Sequence, residues 1–170
     1  PPVIPDTALL MSYKPVAAPA LPNEPYGGVA GVGLNSKGHL FVWQRKAPAL
    51  IEYDAKGALV STHAHITQTR AHSLRIDPQD NIWIVDDTAH TVVKLDPSGD
   101  KVLLTLGVKG QAGSWNEAAG VRLFNQPTDV AFGRNGDVFV STGHGGPDPR
   151  IVRFDKNGKF LNTWALPHAD

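Results

Sequence analysis

Short apolar runs broken by polar turns recur three times along the 170-residue chain, as GVGLNSKGHLFVW (31–43), SLRIDPQDNIWIV (73–85) and DVAFGRNGDVFVS (129–141). Placing Leu34 on Ile76 and Phe132 gives steps of 42 and 56 residues, so the second connection carries an insertion of about 14 residues. Each copy continues into a second hairpin, IEYDAKGALV, VVKLDPSGDKVLL or IVRFDKNGKFL. In these, Asp opens the turn through its side chain and Gly takes the positive-φ position. The pattern predicts four strands per copy: 29–35, 39–45, 49–55 and 59–66; 71–77, 81–86, 91–96 and 101–106; and 126–133, 137–142, 150–155 and 160–165. Val, Ile, Leu, Phe and Trp dominate these windows, as strands sandwiched between neighbouring sheets require. No long window keeps a helical apolar period. An all-β repeat near 40 residues, made only of short strands, predicts propeller blades.

Three blades, 29–66, 71–106 and 126–166, are fewer than the roughly four to eight of a closed propeller. The chain is therefore expected to form part of a six-bladed ring, completed by a second copy or by a missing remainder of the same chain. Residues 1–28 are rich in proline (Pro1, Pro2, Pro5, Pro15, Pro19, Pro22, Pro25) and predict an extended arm, with Ala8 to Val16 as one added strand.

Charge then narrows the partners. Sixteen basic and sixteen acidic residues cancel, and no basic block offers phosphates a surface, which argues against nucleic acid. No apolar run approaches membrane-spanning length, and PPVIPDT lacks the layout of a signal peptide. With no cysteine, disulfides, thiolate zinc sites and thiol nucleophiles are excluded.

Blade topology sorts the polar residues between two faces. The hairpins within each blade half lie on one face; the loops between second and third strands share the other with the connections between blades. Arg45, Asp86, Asp87, His72, the 143–149 loop and the 107–125 insertion fall on that second face, where a long loop is the expected place for binding. His63 and His65 are placed on an outermost strand facing solvent. His90 is read as a packing or loop-bonding residue, and Asp129 as ordering the entry to an inner strand.

Four segments carry a narrower signal: VAGVGLNSKGHLFVWQR (29–45), AHSLRIDPQDNIWIVDDTAHTVVKLDP (71–97), FNQPTDVAF (124–132) and GDVFVSTGHGGPDPRIVRFDKNGKFLNTW (136–164). Over about 150 residues the chain resembles the NHL-repeat propellers and, within them, the peptidyl-α-hydroxyglycine α-amidating lyases and their bacterial relatives. The resemblance implies a metal-dependent lyase that splits a carbinolamide into an amide and glyoxylate, in a secreted or periplasmic setting. It implies zinc at the channel mouth on His72 and His168, and calcium on the backbone carbonyls of Val29 and Leu74. Arg45 matches the position that receives the substrate carboxylate. At 144 the family has tyrosine as its candidate base, whereas here Ser141-Thr142-Gly143-His144 substitutes histidine, a side chain suited to proton transfer near neutral pH. The expected partner is a peptide or small-molecule substrate. The alternative is a non-catalytic propeller that binds a peptide, sugar or protein on its loop face.

Overall fold

A computed structural model describes residues 17, 19, 21, 25–144, 146 and 149–166. It contains twelve strands in three four-stranded antiparallel sheets, each a simple meander in chain order. The first holds β1 (Val29–Leu34), β2 (Leu40–Gln44), β3 (Leu50–Tyr53) and β4 (Leu59–Ser61). The second holds β5 (Ala71–Ile76), β6 (Ile82–Asp86), β7 (Thr91–Leu95) and β8 (Val102–Leu106). The third holds β9 (Pro127–Phe132), β10 (Val138–Thr142), β11 (Arg150–Phe154) and β12 (Phe160–Ala165). The helical content of the described residues is one 3-10 turn, Glu117–Ala119, and none of it is long and apolar enough to cross a membrane. Ala8 to Val16 and His168 lie outside the described residues.

The three sheets pack face to face with their first strands adjacent, β1 against β5 and β5 against β9. The first interface is built from Phe41, Trp43 and Leu50 against Leu74, Ile82 and Ile84. The second sets Trp83, Val85 and Val92 against Val130, Val138 and Val152. Close approach at the inner edge depends on glycine: a Cβ on Gly31 would stand 2.4 Å from the Leu74 backbone nitrogen. Polar ties stitch the blades together. Trp43 Nε1 donates to the Val85 carbonyl at 3.1 Å, the Ser36 amide donates to Asp80 at 2.8 Å, and Arg75 grips both oxygens of Asp129.

A buried carboxylate anchors the lower turn of the second blade. Asp77 accepts from Trp83 Nε1 at 3.0 Å, from the Asn81 side chain and amide, and from the Gln79 amide. Burial pushes its pKa upward, but these bonds outweigh it and hold the carboxyl below the usual Asp range. A depressed folded-state pKa contributes stability above the unfolded-state value of about 3.9, and that contribution is lost as pH falls through the lowered value. The wild type should therefore lose more stability between pH 6 and pH 3 than Asp77→Asn, in urea melts at the two pH values. Equal losses would remove Asp77 from the acid response.

The outer flanks differ. On the first blade, Leu21 packs on Val42, Ile51 and Tyr53. Nearby, Tyr26 donates to the Pro19 carbonyl at 2.6 Å, and its hydroxyl lies 2.5 Å from that of Tyr53. Leu21 and Tyr26 thus cover part of that flank, while Val32 and Leu34 of β1 are exposed. On the third blade, Phe139 stacks on the exposed Trp164 beside Ile151, with Arg153 lying over the Phe139 ring.

Two expectations change. His63 is not a solvent-facing strand residue: β4 ends at Ser61, and His63 is 4% exposed, beneath Gly99 and near Phe41 and Glu52. The short β4 lets the chain turn inward with His63 at φ 39°. The insertion, in turn, is more than a surface loop, since its Trp115 and Phe124 are core residues of the second interface.

Candidate functional site

Each inner strand begins with the same irregularity. In β5, Ala71 pairs with Asp86 and Ser73 with Val85, so His72 is the extra, unpaired residue. Ala30 in β1 and Thr128 in β9 occupy the same place, and 30, 72 and 128 are related by the 42- and 56-residue steps of the repeat. Such a bulge twists the strand and re-aims a side chain. At the second bulge that side chain is an imidazole.

The bulges meet across the blade boundary. His72 Nδ1 lies 2.7 Å from the Thr128 carbonyl. A carbonyl only accepts, so Nδ1 carries the proton and Nε2 of the neutral ring is left with its lone pair. The His144 ring stands edge-on to His72, with centroids 5.1 Å apart and planes at 70°. Arg45 donates through Nε to the Ala71 carbonyl at 3.0 Å, one residue from His72. No partner binds its two terminal nitrogens among the described residues, which leaves the planar fork open to a carboxylate. His72, His144 and Arg45 are thus brought to one face. His168 lies outside the described residues. Val29 opens β1, and Leu74, with a buried side chain, sits in mid-β5.

Supporting residues recur at a second repeat position, at the end of the second strand of each blade. Gln44 Oε1 accepts from the Gly27 amide at 2.7 Å. Asp86 accepts from the Thr69, Arg70 and Ala89 amides. Thr142 Oγ1 bonds both the amide and the carbonyl of Asn125. Each ties the incoming connection to its own blade, fixing where the bulge begins. The 42- and 56-residue offsets would have aligned these positions in the sequence, but their different side chains hide the shared role. Asp129 pairs with Arg75; burial raises its pKa, but the Arg75 guanidinium and the Val130 amide outweigh that and hold it low.

His72 fits a metal ligand in one respect: metal-bound histidines commonly donate their second nitrogen to a carbonyl, as Nδ1 does here. Among the described residues no group of three His, Asp or Glu side chains is arranged to hold a metal ion. A complete catalytic zinc set, normally three protein ligands, would need donors from beyond them.

No protein-family model matches the chain. Among curated proteins, the rat peptidylglycine alpha-amidating monooxygenase is 36% identical over 165 residues, covering 81% of this chain and 16% of the relative. A Drosophila melanogaster peptidyl-alpha-hydroxyglycine alpha-amidating lyase is 39% identical over 95 residues, 55% of this chain and 16% of the relative. A probable lyase of the same name from Caenorhabditis elegans is 28% identical over 163 residues, 82% of this chain and 45% of the relative. The chain spans about a sixth of the first two relatives and under half of the third. Among solved structures, a streptogramin B lyase superposes with a TM-score of 0.64 at 20% identity, over 86% of this chain and 43% of that one. The Staphylococcus aureus virginiamycin B lyase with quinupristin gives 0.63 at 19%, over 88% and 44%. These structural likenesses establish the fold.

Proposed function

We propose that this chain, which resembles the peptidyl-alpha-hydroxyglycine alpha-amidating lyases over four-fifths of its length, carries part of the active site of such a lyase. The observation that carries this reading is the His72–His144 ring pair, 5.1 Å apart, beside the open fork of Arg45. The substrate would be a peptidyl-α-hydroxyglycine or similar carbinolamide, with its carboxylate on Arg45. His144 would take the proton from the carbinol oxygen. The oxygen's electron pair then forms the new C=O bond, the C–N bond breaks, and the amide nitrogen leaves with the proton that His144 returns. The products are an amide and glyoxylate, and atoms and charge balance. His72 would hold zinc together with donors outside the described residues, His168 among them, and the metal would supply Lewis acidity at the hydroxyl. Calcium on the Val29 and Leu74 carbonyls and a secreted or periplasmic location belong to the same proposal.

Glyoxylate release from a peptidyl-α-hydroxyglycine tests the reading directly; no release by the assembled protein would sink it. Arg45→Ala should raise KM about ten- to a hundredfold, the cost of one or two charge-assisted hydrogen bonds, with a smaller change in kcat. A fall in kcat at unchanged KM would instead remove Arg45 from carboxylate binding.

A second reading, a binding platform without catalysis, is favoured by one observation: histidine stands at 144, where the resemblance places tyrosine. That reading expects peptide or sugar binding on the same face without turnover.

We propose further that the flank of the third blade is covered in the working protein by a second copy or by more of the same chain. Phe139, Ile151 and Trp164 would otherwise leave a continuous apolar and aromatic face in water. Light scattering on the 170-residue chain should show self-association. A stable monomer with a cooperative melt would count decisively against it.

A further inference from the structure

Two non-glycine residues with left-handed backbone meet next to the site. His90 has φ 60° and Gln126 φ 53°, and the Gln126 amide donates to His90 Nδ1 at 3.1 Å. Gln126 is the more strained, because it precedes Pro127, and a residue before proline is driven toward extended backbone at negative φ. Such a conformation persists only where surrounding bonds over-determine it. Here they do so from both sides. His90 holds the amide of Gln126. The Gln126 carbonyl accepts from the His144 amide at 3.3 Å and, also at 3.3 Å, from the Gly143 amide, which makes its shorter bond of 2.6 Å to the Asn125 carbonyl. His90 is itself fixed, with its amide donating to the Asp87 carbonyl at 3.3 Å and its own carbonyl packed on Gly107, where a Cβ would approach to 2.3 Å.

What the pinned segment holds gives the pin its meaning. Within four residues, 125–128, the Gln126 carbonyl fixes the backbone of His144 and the Thr128 carbonyl fixes the ring of His72. Between them Pro127 has a fixed φ, so a change in the Gln126 backbone is passed on to Thr128 rather than absorbed. Without His90, Gln126 would relax toward the extended region and swing its carbonyl away from His144.

We infer that His90 is a positioning residue: by accepting the Gln126 amide it holds the 125–128 segment in the strained shape that sets His72 against His144. Its effect on turnover rests on the lyase reading, whereas its effect on geometry does not.

The test uses two variants of the full chain. His90→Gly tolerates the positive φ but has no acceptor. His90→Asn also tolerates left-handed backbone and places Oδ1 at the same bond distance from the main chain as Nδ1. With 15N-labelled histidine, the hydrogen-bonded Nδ1 proton of His72 should give a slowly exchanging downfield signal, assigned by its loss in His72→Ala. The signal should be present in the wild type and His90→Asn and absent in His90→Gly, at closely similar melting temperatures. In the glyoxylate assay His90→Gly should lower kcat roughly ten- to a hundredfold, the scale of a sub-ångström to 1 Å misplacement, with KM little changed and activity restored by His90→Asn. If all three proteins keep the signal, if both variants lose it, or if the wild type lacks it, the inference is overturned. The expected signal pattern in a protein that releases no glyoxylate would uphold the positioning role and refute the lyase reading alone.

Discussion

Replacing His72 with alanine is expected to abolish glyoxylate release, a fall of at least a hundred- to a thousandfold given what one positioned proton-transfer or ligand group contributes. It should also remove whatever zinc the assembled protein binds, measured by elemental analysis. The expectation follows from the local geometry. His72 is the unpaired residue of a bulge, so its ring is aimed by the backbone, and its Nδ1 is committed to the Thr128 carbonyl, so only Nε2 is available for chemistry. His72→Asn separates the chemical role from the structural one: its Nδ2 sits at the same bond distance from the main chain as Nδ1 and can still donate to the Thr128 carbonyl, but it offers no imidazole nitrogen. It should melt with the wild type and be as inactive as His72→Ala. A His72→Asn variant with most of the activity would mean that the residue serves as a brace, and that the chemistry lies elsewhere on the face.

The strands and their pairing were legible because two signals coincided. Apolar runs of strand length and turn residues at fixed offsets recurred together, and each forces the same meander. The shared face of His72, Arg45 and His144 was legible for the same reason, since meander topology alone decides which ends of the strands lie together. The bulges were not. An extra residue in one strand leaves no mark in an apolar pattern, and Ala30, His72 and Thr128 have no chemistry in common. The apolar pattern lets β4 run on to residue 66 and so places His63 on an outer strand, whereas the strand stops at Ser61 and the histidine turns beneath Gly99. The structural share of the insertion is not legible: a long connection suggests binding, and nothing local reveals that its Trp115 and Phe124 also fill the wedge between two blades.

That wedge makes Trp115→Ala the substitution expected to cost the most stability, about 3–5 kcal/mol, the range for emptying a buried aromatic site. Trp115 is 5% exposed and sits at the centre of an aromatic group. It is edge-on to Phe154 at 4.8 Å, tilted on Phe124 at 5.1 Å and stacked on Phe160 at 6.3 Å. Its Nε1 donates to Glu117 Oε2 at 3.1 Å, and its carbonyl accepts from Arg150. Alanine would keep the carbonyl contact and lose the rest, opening a cavity that Phe124 and Phe160 cannot fill without leaving the second interface. Trp115→Phe keeps a ring in the stack and gives up the indole hydrogen bond, so it should cost much less. Urea unfolding should show a lower midpoint with an unchanged slope for Trp115→Ala, because the loss is of packing in the folded state. A midpoint shift no larger than that of Trp115→Phe would mean that the insertion rests on the blades without holding them together.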